Sequence, residues 1–93
     1  MLKLADTVRI PAHVMFSIIE DEAFLLNIRT NRYFLLDEVG ARLWTLLKEG
    51  QNLILAYQTL AQEYAVEPAQ LERDLLELLD KLQENGLVEI APA

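Results

Sequence analysis

Cysteine is missing from this chain of 93 residues, and histidine and serine occur once each. Without cysteine there are no disulfide staples, no thiolate metal sites and no cysteine nucleophile. The same absence fits a reducing compartment, so the sequence reads as a cytoplasmic protein. His13 stands beside Pro11 and Ala12 with no second histidine to share a metal, and it reads as a strand-entry residue. Ser17 lies in an apolar run without the G-x-S-x-G context of a nucleophile elbow. The glycines, Gly40, Gly50 and Gly86, are isolated from one another, so no glycine-rich phosphate loop exists. No apolar run approaches the roughly 20 residues of a membrane span. The first residues lack a signal-peptide hydrophobic region. The expectation is a non-enzyme with no catalytic residue, no metal and no cofactor.

Basic residues are also scarce, and unevenly so. Residues 1–50 carry six basic and seven acidic side chains, while residues 51–93 carry two basic and eight acidic. The C-terminal half would repel a phosphate backbone and tolerate a basic partner.

What is present is one domain's worth of periodic structure, spanning 1–93 with a core from about 8 to 90. Disorder is expected only at Met1–Asp6 and Ala91–Ala93. Val8–Pro11 reads as an extended lead-in. Val14–Glu20, Ala23–Ile28 and Arg32–Leu36 read as three strands. Their connections, Glu20-Asp21-Glu22 and Arg29-Thr30-Asn31, are short enough to dictate an antiparallel meander, with Asn31 suited to a left-handed turn. Strict alternation is absent. Phe16 and Ile18 share one face and Met15 and Ile19 the other, so both faces are expected to be at least partly covered. The helices cover one, and the N-terminal segment or a partner covers the other.

Three helices follow. Asp37 is a suitable N-cap for the first, whose stripe is Val39, Leu43, Trp44, Leu46 and Leu47, with Gly50 ending it. Gly40 inside that helix costs about 1 kcal/mol relative to alanine and implies a close backbone approach. Asn52 caps the second, with Leu53, Leu55, Ala56, Leu60 and Tyr64 at helical spacing. Pro68 suits the first turn of the third. Its stripe is Leu71, Leu75, Leu78, Leu79 and Leu82, with Leu76 beside it. Asn85-Gly86 stops it, and Leu87–Ile90 is a last extended piece. The fold class is α+β, a three-stranded antiparallel sheet followed by three helices, arranged like a winged helix-turn-helix.

That arrangement brings DNA binding to mind. The third helix, which would enter the groove, carries Glu72, Asp74, Glu77, Asp80 and Glu84 against Arg73 and Lys81. Five acids against two bases do not approach phosphates, so no nucleic acid is expected. Those carboxylates read as a solvated face, because one exposed helix face does not supply a convergent acid–base pair.

The strand Arg32-Tyr33-Phe34-Leu35-Leu36 is more promising. As the last strand of a meander it has a free edge, and no proline blunts it. With the third helix alongside, strand backbone forms the floor of a groove and leucines its wall. An extended peptide can add there as a further strand.

The residues also resemble a known family. Tyr33, Leu35, Gly40, Trp44 and Gly50 resemble the "YxL … G … W … G" core of PqqD-like proteins. Ala56, Leu60, Ala61 and Tyr64 in the second helix are similar as well. So are Asp74, Leu75, Leu79, Leu82 and Gly86-Leu87-Val88 at the end of the chain. The resemblance spans about 13–90, and departs at Asn31, where a glycine is common. It implies a leader-peptide recognition element for ribosomally made, post-translationally modified peptides. The nearest likeness is to the free-standing recognition subunit of split lasso-peptide systems. It implies a precursor leader, expected to carry a Tyr-x-x-Pro motif, bound between the third strand and the third helix. A separate leader-cleaving cysteine protease and an ATP-dependent cyclase would then act. The expected peptide-binding residues are Arg32, Tyr33, Phe34, Leu35 and Leu36 on the strand. On the helix they are Leu71, Asp74, Leu75, Leu78 and Lys81. Two other readings stay open. One is a recognition subunit of another pathway, such as the PQQ type. The other is a homodimeric structural subunit that buries the same edge.

Overall fold

Five strands and three helices run along the chain in a computed structural model that describes residues 2–92. Met1 and Ala93, part of the expected disordered ends, lie outside the described residues. The rest of those ends is ordered. Leu2 and Leu4 pack against the core, and Asp6 is buried and accepts a hydrogen bond from the Lys3 amide. β1 (Thr7–Arg9) then pairs antiparallel with β5 (Glu89–Ala91), so that Val8 faces Ile90 and the Arg9 guanidinium pairs with Glu89. The sequence shows both segments as extended but gives no sign that they meet. Three-residue strands so far apart in the chain carry no local pairing signal.

β2 (Val14–Ile19), β3 (Glu22–Asn27) and β4 (Arg32–Leu36) form a separate antiparallel sheet in that order. The tight turns are as expected. Asn31 takes φ +60, and Glu20 does the same at φ +58 without the asparagine that usually marks such a position. Cross-strand register puts Phe16, Leu25 and Phe34 in one row and Ile18, Ala23 and Leu36 in the next, all on the face toward the helices. Ala23, Leu25 and Leu36 are fully buried there, and Phe16 meets Trp44 edge-on at 6.1 Å.

The opposite face is left open by the chain's own described residues. Met15, Ile19, Phe24, Tyr33 and Leu35 are exposed on it. The N-terminal segment, one of the two covers considered, is committed to β5 instead.

α1 (Glu38–Lys48) starts where β4 ends. Asp37 accepts the Gly40 amide at 2.9 Å as N-cap, and Gly50 ends the helix region at φ +95. A Cβ on Gly40 would sit 3.3 Å from Leu36, which is the close approach its presence implied. α2 (Leu53–Glu63) is capped by Asn52 through the Leu55 amide at 2.8 Å. Leu53, Ala56 and Leu60 bury its inner stripe, whereas Leu55 is exposed and takes no part in it. Arg42 and Glu63 tie α1 to α2 through two 2.9 Å hydrogen bonds. α3 (Pro68–Glu84) carries Pro68 in its first turn and buries Leu71, Leu75, Leu79 and Leu82. Each such leucine contributes about 1.5–3 kcal/mol of transfer free energy. The core they build with Leu43, Trp44 and Leu46 fixes α3 against the sheet. No described helix is long and apolar enough to cross a membrane.

Candidate functional site, a groove between an open strand edge and a helix

β4 is an edge strand. β3 bonds one side of it, and no strand bonds the other among the described residues. What lies beside that free edge depends on how α3 is anchored. Asn27, the last residue of β3, is buried and faces inward with Ala23 and Leu25. Its Nδ2 donates to the Asn85 carbonyl at 3.0 Å and, more weakly, to the Gly86 carbonyl at 3.4 Å. His13 Nε2 lies 3.1 Å from the same Gly86 oxygen. Because Asn27 is opposite Arg32 in the sheet, the C-terminal end of α3 is pinned at the start of β4. The helix then runs back along the strand toward Leu36.

The space between them is a groove of about 450 Å³. Its apolar lining is Phe34, Leu35 and Leu36 from β4, Val39 from α1, Val66 from the α2–α3 loop, and Leu71, Leu75 and Leu78 from α3. Asp37, Asp74, Glu77 and Lys81 also line it, together with Gly40. Gln70 donates from Nε2 to Asp74 Oδ1 at 2.8 Å, which holds that carboxylate in place.

Eight of the ten residues expected from sequence therefore meet in one groove. They are not equivalent. Leu36, Leu71 and Leu75 are each 2% exposed, so they belong to the core and offer the groove only an edge. Phe34 and Leu78 are half-buried, with surface left to give. Arg32 and Tyr33 do not line the groove. Arg32 shares the inward face of β4 with Phe34, two residues earlier at the start of the strand. Tyr33 points to the opposite face of the sheet and is 81% exposed. Its side chain is therefore separate from the groove, and only its backbone is on the open edge.

Asp37, Val39, Gly40, Val66 and Glu77 line the groove but were not named as site residues from sequence. Asp37 and Gly40 read there as a cap and a packing glycine, and both do those jobs. What the sequence conceals is that the β4–α1 junction folds under the groove's end. Val66 had no periodic pattern around it. Asn27, which anchors the end of α3, carries a signal in the sequence too. A lone amide on an otherwise apolar inward face is the signal, since a buried amide demands partners.

The groove can bind but has little to react with. Its carboxylates line a single helix face and a cap, and no cluster suited to a metal occurs among the described residues. An open strand edge over apolar pockets fits an extended peptide, whose main chain completes the ladder and whose alternate side chains enter the groove.

Residues 22–88 match the family model described as coenzyme PQQ synthesis protein D, PqqD. The chain belongs to the PqqD family. The matched span runs from β3 through Val88 and so includes both walls of the groove. Two solved structures are similar to this PqqD-family chain. One is TbiB1 in complex with the TbiA(beta) leader peptide, at 38% identity and a TM-score of 0.82, covering 87% of this chain and 94% of that one. The other is a lasso peptide synthetase B1 complexed with its leader peptide, at 28% identity and a TM-score of 0.78, covering 89% of this chain and 98% of that one. The comparison with curated proteins finds no match.

Proposed function

We propose that this PqqD-family chain captures the leader region of a ribosomally synthesised precursor peptide, as the recognition subunit of a lasso-peptide maturation system. The leader adds as a strand to β4, and its alternate side chains settle against α3. The observation that carries the reading is the open β4 edge beside a leucine-lined groove. It occurs in a chain 38% identical to a protein solved with a leader peptide. The bound backbone gains hydrogen bonds that do not depend on its sequence, and the pockets supply selectivity. Phe34 and Leu78 are the side chains with most surface to contribute, with Leu36, Leu71 and Leu75 forming the surrounding wall, while Leu35, whose side chain is on the outer face, offers its backbone. The chain acts without catalysing a reaction. It presents the loaded precursor to a separate leader-cleaving cysteine protease, after which an ATP-dependent cyclase closes the ring.

The exposed outer face of the sheet supports that last part. Met15, Ile19, Phe24, Tyr33 and Leu35 form an apolar surface that a lone monomer has no use for. It adjoins β4, so a leader strand bound there extends it sideways. A protease that must find loaded precursor can dock on it.

The deciding experiment is fluorescence anisotropy with the labelled leader of the cognate precursor. Saturable binding is expected without core peptide, ATP or metal. No saturation up to about 1 mM, equivalent to only about −4 kcal/mol, would rule the reading out. A homodimer that buries the same β4 edge is the competing reading. Light scattering at several concentrations separates them, because a stable dimer indifferent to leader peptide fits only the second.

A further inference from the structure

The groove is electrically polarised along its length, and we infer that this polarity sets the direction and register of the bound peptide. The inference rests on the leader-binding reading above. α3 runs antiparallel to β4, pinned at the Arg32 end by the Asn27–Asn85 hydrogen bond. Lys81, three residues from the helix's end, is therefore at the Arg32 end of the groove. Asp74 lies two turns back toward Leu36, where Asp37 closes the groove, and Glu77 sits between. The end at the start of β4 thus has Lys81 in the lining, with Arg32 just beyond it on the same face of the strand as Phe34, and the other end has Asp37 and Asp74. Among the described residues none of these four is in an ion pair. The amide of Gln70 orients Asp74 but brings it no positive charge.

A guest strand placed in this field meets opposite potentials at its two ends. Its preferred sequence has a basic side chain over Asp74, an apolar side chain over Leu78 and an acidic side chain near Lys81. The sheet is antiparallel throughout, and a guest that continues the pattern runs against β4. Its N-terminal part then lies at the Leu36 end. The basic residue consequently precedes the acidic one in the peptide. Seven helical residues span about 10.5 Å, which is about three residues of strand at 3.3 Å each. Side chains that face the helix alternate, so two charges with a groove-facing apolar anchor between them fall four positions apart. Running the peptide in reverse, or slipping it by one residue, brings like charges together or turns the charges away. Main-chain hydrogen bonds alone do not distinguish these registers.

The test pans a displayed library of random 14-residue peptides on the intact protein and on two doubly reversed variants, Asp74→Lys with Glu77→Lys and Arg32→Glu with Lys81→Glu. All four positions are exposed, and circular dichroism confirms that the variants fold. Peptides enriched on the wild-type protein are expected to carry Lys or Arg N-terminal to Asp or Glu at the stated spacing. The first variant should lose the basic preference and the second the acidic one. A matched peptide should bind each variant about threefold to tenfold more weakly, and reversing the corresponding peptide charge should restore most of the loss. The preference should also fade as salt rises. Enrichment without charge preference, or with a preference that survives both reversals, overturns the inference and leaves the leader-binding reading intact. Failure to enrich any peptide over empty phage overturns that reading, and the inference with it.

Discussion

Leu75 and Leu78 sit one turn apart on α3, yet they do different work. Leu75 is 2% exposed and belongs to the core, while Leu78 is half-buried and faces the groove. Leu78→Asp is expected to weaken leader binding by about tenfold or more, because it places a charge where an apolar side chain should dock. Its far-ultraviolet circular dichroism should stay near wild type. Leu75→Asp should unfold the protein instead, since a carboxylate there has no water and no partner. If both behave alike, the division of α3 into core and groove is wrong. Gly86 is a second sensitive position. It combines φ +70 with a Cβ direction only 2.7 Å from Asn27 Nδ2. An alanine there costs about 1 kcal/mol for the left-handed backbone. It also displaces the buried Asn27 amide from its two carbonyl partners, at about 1–3 kcal/mol more. The denaturant midpoint of Gly86→Ala should fall accordingly. A shift below about 1 kcal/mol would mean that Asn27 is not a clamp.

Elements were more legible in the sequence than the contacts between them. Asp37, Asn52, Pro68 and Gly50 mark the helix ends through chemistry that acts within a few residues, and the structure uses all four. The meander followed from two short connections. The pairing of β1 with β5 was not legible, because Thr7–Arg9 and Glu89–Ala91 are each too short to show a partner. The groove was half legible. The α3 stripe named its leucines, but Tyr33 belongs to the other face of the sheet, and Val39 and Val66 enter only through chain folding. One consequence of strand addition belongs to this scale. A guest paired with β4 alone points every second amide at that edge. N-methylation scanned along the leader should therefore weaken binding with a period of two, and an aperiodic profile would mean that the peptide binds without a ladder. The α1–α2 tie offers a pH test. The hydrogen bonds from Arg42 hold the Glu63 carboxyl below its ordinary value of 4.5. A lowered folded-state value stabilises the protein above pH 4.5, and that contribution disappears as pH falls through the lowered value. Arg42→Ala should flatten the acid limb of the stability–pH curve slightly, as expected of a pair more than a third exposed. An unchanged limb would show that the pair adds nothing in solution.

The whole molecule presents two surfaces that meet at β4, a groove on the helix side and an apolar sheet face on the other. Their separation makes their roles testable apart. The side chains of Met15 and Phe24 are on β2 and β3, 59% and 46% exposed, and neither lines the groove. With Ile19, Tyr33 and Leu35 they expose apolar surface on the order of 500 Å², near the upper limit for a monomer with nothing to bind. The N-terminal segment, one of the two covers expected for this face, is held elsewhere by β5. A protein partner therefore remains the occupant to test. Met15→Lys and Phe24→Lys, made together, should leave leader affinity within about twofold of wild type, since groove and β4 edge are untouched. Fold stability should change little, because both side chains are exposed. If the proposed leader-cleaving protease docks on this face, leader cleavage should slow severalfold at limiting protein and recover when protease is raised, as a docking defect requires. Cleavage at the wild-type rate would show that the protease docks elsewhere. A parallel loss of leader affinity would show that the sheet face and the groove act as one surface, because a strand bound at β4 would then depend on side chains two strands away.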